Sequence, residues 1–360
     1  MATQTQTILQ QPVIPAVVAM DPHPPLAADR DALGLRSLSG DDDTSATGGE
    51  CDRIPEESAS RLQKVVVVFQ LSGVNFSLSA VNGLIIVGLP RIAEDLALPP
   101  SLTFWPASVS SLATSATLLL AGSVADALGP RAVDLTGCFL CGAFMLGCGL
   151  AKEGEQLVGM RAVTGVGQAM HLASSVALVT KIVARGRGRN VSFACLGLSQ
   201  PLGFSFGLVL GGVLVDTIGW RAGFYIYGGL TVLLSAIGCV SLPKSEPLGS
   251  LRDLSHLIRR KVDWVGALLA SSFMAFLSYF LAVISGDMYR IREPGSIVFL
   301  CLGVMSLPFF VAWVHRQVRR GRPALIPNSF WRNASFASIC ATISVTFAVL
   351  NSLELFASLL

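Results

Sequence analysis

The chain has 360 residues, of which 52% are apolar, 14% are charged and 35 are glycine, and its mean hydropathy is +0.62. Soluble proteins carry roughly 25% charged residues, so this composition excludes an ordinary soluble enzyme, a disordered regulator and a secreted disulfide-rich domain. It indicates an integral membrane protein with several spans. The net charge of +3 does not point to nucleic acid as a partner, because the basic residues follow membrane topology.

Residues 1–60 differ from the rest of the chain. Ten of the 23 acidic residues lie there, among many Pro, Ser and Thr residues. The segment has no apolar pattern long enough to offset the entropy of ordering its backbone, so we predict a disordered cytoplasmic tail. The first sustained apolar run begins at Val65, too late for the core of a cleaved signal peptide.

Beyond this tail the sequence alternates apolar runs with short charged connections. A membrane-spanning helix needs roughly 20 apolar residues, and nine runs without Asp, Glu, Lys or Arg are close to that length. We therefore predict an all-α integral membrane fold with about nine transmembrane helices. The runs are 65–90, 96–125, 135–151, 162–180, 191–215, 222–243, 264–286, 294–315 and 333–353.

The basic residues between these runs predict the orientation in the membrane. Connections after the second, fourth, sixth and eighth spans hold 15 Lys and Arg residues, whereas those after the first, third, fifth and seventh hold 5, with Arg161 counted in the fourth span. Short cytoplasmic loops are enriched in these residues, so we expect a multi-pass protein whose amino terminus is cytoplasmic.

No pattern of catalytic or ligand-binding residues stands out. The four histidines are too scattered for a ligand set, and the phosphate-binding pattern G-x-x-x-x-G-K-[ST] is absent. We therefore expect no enzyme activity, no cofactor and no metal. The remaining candidates are glycines at helix-contact spacing and polar residues inside apolar spans.

The string GSVADALGPRAVDL, at 122–135, closes the second span and opens the third. Gly129 suits the left-handed C-cap of a tight helical hairpin, and Gly122 suits close approach of a neighbouring helix. Asp126 and Arg131 lie at the membrane edge, where they could pair with each other or with a helix end.

This spacing resembles the loop signature G-x-x-x-A-D-x-x-G-x-R-x-x-x-L of the major facilitator superfamily. RAVTGVGQA, at 161–169, resembles the family element R-x-x-x-G-x-G-x-A, and the glycines of the fifth span resemble its antiporter motif. LPRIAEDL, at 89–96, is similar to the L-P-x-I-x-x-D-L of fourteen-helix drug:proton antiporters. LTFWPAS at 102–108 and IPNSFWRN at 326–333 look like the fungal, aminotriazole-resistance-like branch.

The resemblance implies a major facilitator helical bundle with an incomplete carboxyl-terminal half. Residues 61–243 would form the six-helix amino-terminal domain, and 244–315 a cytoplasmic loop with two inserted helices. Residues 316–360 would form a second loop and the first helix of the carboxyl-terminal domain. We therefore expect a truncated transporter, with weak or no export unless a second copy or a missing segment completes the cavity.

Six glycines are predicted to allow close helix packing. Three of them repeat every four residues and so form one stripe along the fifth span. The resemblance implies that this stripe and the 122–131 turn meet helices of the second half. The six are Gly165, Gly167, Gly203, Gly207, Gly211 and Gly212.

The fourth span contains three polar candidates. Arg161 costs about 2.5–3.5 kcal/mol in hydrocarbon, so we expect it to line a polar cavity rather than to extend to the membrane surface. Gln168, seven residues on, lies on nearly the same helix face and is expected to line the same cavity. His171 is rotated about the helix axis by roughly 80° from Arg161. We favour a structural histidine with satisfied hydrogen bonds, although histidine also suits proton coupling.

Other polar candidates lie in the first and ninth spans. Asn351 and Glu354 share one helix face. Glu354 is either a buried proton-coupling acid or a residue at the outer headgroups, and the sequence favours neither. Asn82 is a weaker candidate, for hydrogen bonds to substrate or between helices.

The expected function is export of a small organic molecule by alternating access, driven by the proton gradient across the plasma membrane. The expected partners are the lipid bilayer, the substrate and, to complete the missing half, a second copy of the chain. The alternative is a non-transporting membrane sensor or assembly partner that signals through its tail.

Overall fold

The computed structural model describes residues 60–99, 102–103, 105–243, 262–286, 294–321 and 333–359. Within these ranges the chain forms nine α-helices and no strand, which confirms the predicted all-α fold. Residues 1–59 of the predicted tail lie outside the described ranges. The helices are α1 (Arg61–Asp95), α2 (Trp105–Leu128), α3 (Pro130–Leu150), α4 (Gly154–Ile182), α5 (Arg187–Thr217), α6 (Trp220–Ser241), α7 (Trp264–Gly286), α8 (Pro294–Arg319) and α9 (Ala334–Leu359).

Seven of these helices, α1–α6 and α8, are long and apolar enough to cross a membrane. In α7 and α9 the apolar stretches within the described residues are shorter, at Trp264–Phe280 and Ala334–Val349. Helices are the expected form for such segments, because each satisfies its own backbone hydrogen bonds in lipid.

The first six helices pack as one bundle. α1 packs on α5 and α6, α4 packs on α2 and α3, and α3 also packs on α6. Trp220 and Phe224 of α6 are fully buried in its core with Leu84 of α1. Apolar side chains also cover the outside, as at Val240, which is 88% exposed. Such a surface fits contact with lipid rather than water.

Contacts at the two ends of the bundle establish its up-and-down order. At one end, Gln63 Nε2 in the first turn of α1 donates to the Ser241 carbonyl in the last turn of α6, at 3.1 Å. At the other end, Trp220 Nε1 in the first turn of α6 donates to Asp95 Oδ2 in the last turn of α1, at 2.9 Å. α1 and α6 are therefore antiparallel, as the first and the sixth of six successive membrane crossings must be.

α7 and α8 pack on each other and join the bundle through α2. Tyr279 of α7 lies between two aromatic rings, 5.7 Å from Trp105 of α2 and 4.8 Å from Phe299 of α8. Asp263 Oδ1 accepts hydrogen bonds from the Gly266 amide at 2.9 Å and from Trp313 Nε1 at 3.0 Å. In contrast to α7 and α8, which pack on each other, α9 has mostly exposed side chains among those that are described.

Asp95→Ala is expected to destabilise the bundle by about 1–3 kcal/mol, because the buried indole N–H of Trp220 loses its acceptor. The matched control is Glu94→Ala. Glu94 is exposed and pairs only with the exposed Arg91 in the described part of the chain, so its loss should cost less than about 1 kcal/mol. Thermal unfolding in detergent measures both, and equal effects would contradict a structural role for Asp95.

Candidate functional site

Two clusters of polar groups lie inside the six-helix bundle, and both are built on α4. The arginine cluster consists of Arg161, Asn82 and the Pro106 carbonyl. The histidine cluster consists of His171, Asp134, Cys138 and the Leu71 carbonyl. Arg161 and His171 are ten residues apart, which places them about 15 Å apart along the helix axis.

The arginine cluster holds a buried cation among neutral acceptors. Arg161 is 1% exposed. A terminal guanidinium nitrogen donates to Asn82 Oδ1 at 2.7 Å, and Nε donates to the Pro106 carbonyl at 3.2 Å. No carboxylate pairs with Arg161 among the described residues. The guanidinium therefore keeps an uncompensated charge, which is costly inside an apolar bundle.

α1 and α2 cover the Arg161 side chain in this structure, which keeps it away from the membrane surface. That Arg161 lines a transport cavity stays a prediction. Gln168 is 9% exposed and forms no hydrogen bond within the described ranges. Asn82 joins α1 to α4 through Arg161, which is the interhelical role considered for it.

The histidine cluster is completely buried. His171 Nδ1 lies 2.9 Å from Asp134 Oδ1, and Nε2 lies 3.2 Å from the Leu71 carbonyl oxygen. Cys138 Sγ lies 3.4 Å from Nδ1 and 3.8 Å from Asp134 Oδ2. Both ring nitrogens thus have partners, which is the geometry of a satisfied histidine.

Asp134 is the functional candidate that the sequence did not single out. It immediately precedes the apolar run of 135–151 and so falls outside the predicted third span, yet α3 begins at Pro130 and buries it. With Cys138 and His171 it offers three metal-ligating atoms within 4.8 Å of one another. One of the scattered histidines thus lies beside an acid and a thiol, whereas the expectation that the chain binds no metal stays a prediction.

The glycine stripe of α5 packs on α1. A Cβ added at Gly203 or Gly207 would overlap a backbone carbonyl oxygen of α1, and one at Gly211 would lie 2.8 Å from the Leu84 Cα. The stripe therefore meets a helix of the same bundle. This corrects the expectation that it would meet helices of a second half.

The other predicted packing glycines divide into two groups. A Cβ at Gly165 would overlap the Ser110 carbonyl oxygen of α2, and one at Gly167 would lie 2.8 Å from a backbone oxygen of α3. At Gly212 the nearest atom is 3.7 Å away, and at Gly122 no described atom lies within 4 Å. Close packing at these last two positions is not found, because both face away from the helices that cover their neighbours.

The turn between α2 and α3 has the positive φ expected at Gly129, at 91°, although its ψ of 138° is extended rather than left-handed helical. A terminal nitrogen of Arg131 donates to the Cys239 carbonyl at 2.8 Å, near the carboxyl end of α6. A cation there interacts favourably with the helix dipole. Asp126 is exposed and forms no ion pair within the described residues.

A cavity of about 760 Å³ lies between the first turns of α1 and α5. Its walls include apolar side chains such as Val65 and Phe69, and three cations, Arg61, Lys64 and Arg187, also line it. None of the residues predicted to line a cavity contributes to it. Asn351 and Glu354 belong to α9, but their side chains lie outside what is described, so both interpretations of Glu354 stay predictions.

Comparison with known proteins identifies the family. Residues 71–360 match the Major Facilitator Superfamily, and the chain belongs to this family. It is 42% identical over 330 residues to MFS-type transporter 1 of Pyricularia oryzae, which covers 84% of this chain and 54% of the relative. The chain is therefore a multi-pass membrane protein of a transporter family and not an enzyme.

Two bacterial relatives have names that refer to antibiotic resistance. The puromycin resistance protein pur8 of Streptomyces alboniger is 29% identical over 233 residues, covering 65% of this chain and 44% of the relative. The methylenomycin A resistance protein of Bacillus subtilis is 25% identical over 288 residues, covering 79% and 57%. The chain thus spans about half the length of these curated relatives.

A solved structure supports the fold. The crystal structure of the peptide transporter POT in complex with sulfate matches with a TM-score of 0.50 and 15% sequence identity. The match covers 70% of this chain and 52% of that chain.

Proposed function

We propose that the chain is part of a proton-coupled exporter of small organic molecules, of the fourteen-helix drug:proton antiporter type. The names of the relatives support drug export as the class of activity. The cavity between α1 and α5 has the size of typical small-molecule pockets, roughly 300–1,000 Å³. The distribution of Lys and Arg supports a cytoplasmic amino terminus, and we propose the plasma membrane as the location.

The observation that carries this proposal is the buried guanidinium of Arg161. It has neutral oxygen acceptors and no carboxylate partner in the described structure. Intramembrane charges that lack a structural counter-ion mark substrate or ion pathways in membrane proteins. In the proposed transport cycle Arg161 attracts the negative charge of a substrate or of a deprotonated carboxyl group.

In the proposed mechanism the six-helix bundle forms one side of the transport cavity, and the other side comes from outside this bundle. Alternating access moves two halves around a site between them. The chain has about half the length of its relatives, so we propose that a further segment or a second copy supplies the other half. Active transport by strictly monomeric chains in liposomes would contradict this.

Puromycin accumulation in host cells that lack their own exporters tests the function. Cells that produce the chain should accumulate less puromycin than cells that produce Arg161→Ala, and a protonophore should abolish the difference. Arg185→Ala is the matched control, because Arg185 is exposed and its loss should leave efflux unchanged.

Glu354→Gln tests proton coupling separately. If Glu354 carries the coupled proton, the variant should no longer respond to an imposed pH gradient. An unchanged response would exclude Glu354 from coupling, and equal puromycin accumulation in all cells would contradict export by an assembly of copies of this chain.

A further inference from the structure

We propose that Asp134 and His171 form a proton-binding site inside the six-helix bundle, in which one shared proton joins α3 to α4. The inference goes beyond the proposed transport and does not depend on it. It rests on the geometry of the histidine cluster alone.

The hydrogen-bond partners of His171 determine how many protons the pair must hold. The Leu71 carbonyl oxygen, 3.2 Å from Nε2, can only accept, so Nε2 carries a proton. A neutral imidazole with that proton has a bare Nδ1, and an ionised Asp134 has only acceptor oxygens. These two atoms are 2.9 Å apart, so without a further proton the contact would join two acceptors.

One proton between Nδ1 and Oδ1 removes this conflict. Whether it resides on the imidazole or on the carboxyl group, the pair is then electrically neutral. Neutrality matters here because both side chains are completely buried. Loss of the proton would leave a net negative charge in an apolar interior and two lone pairs facing each other. Proton occupancy and the contact between α3 and α4 are therefore linked.

The spacing of the atoms favours a proton over a metal ion. With zinc bond lengths of about 2.0–2.2 Å, a tetrahedral ion would hold its nitrogen and oxygen ligands about 3.3 Å apart. The observed 2.9 Å is instead the length of a charge-assisted hydrogen bond. The described residues supply three ligand atoms here, whereas a structural zinc site uses four.

On the described parts of the helices that pack around the pair, the nearest other titratable groups are thiols and one arginine a helical turn away. α3 contributes the buried Cys138 and Cys141 thiols and, one turn before Asp134, the Arg131 guanidinium, which donates to the Cys239 carbonyl of α6 at 2.8 Å. On α4 the charged residues Arg161 and Lys181 are each ten residues from His171, about 15 Å along the axis. α1 contributes the Leu71 carbonyl, and α2 and α5 carry no charged residue between their first and last turns.

Proton release on unfolding tests the proposal directly. The purified full chain and the isosteric variant Asp134→Asn are unfolded with dodecyl sulfate at pH 8 in weak buffer containing a pH-indicator dye. At this pH a free imidazole is almost entirely neutral and a free carboxyl group almost entirely ionised, so the parent should release about one proton per chain more than the variant. The asparagine amide can donate to Nδ1, so the variant retains the hydrogen bond without the shared proton.

Two further variants keep the test decisive. Thr136→Ala, on the exposed face of α3, leaves the pair intact and should release as many protons as the parent. The double variant Asp134→Asn/His171→Gln replaces both groups by neutral amides, so it should release as few protons as Asp134→Asn. It takes the place of Asp134→Asn in the comparison if that single variant does not fold. Equal release by the parent and both asparagine variants would overturn the proposal. One tightly bound transition-metal ion per parent chain, absent from the variants, would also overturn it.

Discussion

Gly207→Ala is expected to destabilise the bundle by about 1–3 kcal/mol or more, although alanine is the better helix former. The added Cβ would overlap the Ala80 carbonyl oxygen of α1. Backbone atoms of a packed helix cannot move aside as a flexible side chain can, so α1 and α5 would have to separate along the whole stripe. Unfolding in detergent, followed by circular dichroism, measures the loss.

Gly212→Ala is the matched control on the same helix. Its Cβ would lie 3.7 Å from the nearest atom, a Val87 methyl group, which is ordinary van der Waals contact. Because helix propensity favours alanine by up to about 1 kcal/mol, this variant should be as stable as the parent or more stable. Equal stability of the Gly207 and Gly212 variants would contradict close approach of α1 and α5.

In the proposed exporter, Arg161→Met is expected to abolish puromycin efflux with little change in stability. Removal of a buried charge is often neutral or stabilising, whereas the Asn82 and Pro106 oxygens each lose a donor at a cost of about 1–3 kcal/mol. These effects oppose each other, so we expect the free energy of unfolding to stay within about 2 kcal/mol of the parent. Efflux should fall to the level of cells without the protein.

This pair of measurements separates a transport role of Arg161 from a structural one. A structural arginine would give a strongly destabilised Arg161→Met variant whose remaining folded fraction still exports puromycin. The exposed Arg185→Met controls for the loss of one positive charge and should change neither quantity. Normal efflux by a stable Arg161→Met protein would exclude Arg161 from the transport path.

The sequence predicted which segments are helical more accurately than it predicted where each helix begins and ends. The third apolar run was placed at 135–151, whereas α3 begins at Pro130. Likewise, the first run of 65–90 lies inside the longer α1, which extends from Arg61 to Asp95. Runs without charge underestimate a helix, because charged residues are tolerated in the terminal turns. Asp134 was missed for this reason, since a residue counted as a helix flank is in fact one turn inside a buried face.

The sequence also identified Arg161 and His171 as candidates, because a charged or titratable side chain is conspicuous in an apolar run. Their partners had no such signal. Asn82 precedes Arg161 by 79 residues, and Asp134 precedes His171 by 37. Similarly, the four-residue repeat of glycines predicted a smooth helix face without indicating that α1 packs on it.

The sequence by itself therefore determined what depends on local composition: the all-α membrane fold, the number of helices in the described ranges and the family. A long apolar segment has to form a helix in lipid, since only its own backbone can satisfy its hydrogen bonds. The tertiary structure alone decided which polar groups meet and which glycines are close to a neighbour. These depend on the rotation of each helix about its axis and on the choice of packing partner, which are set by the shapes of all facing side chains together and not by any one segment.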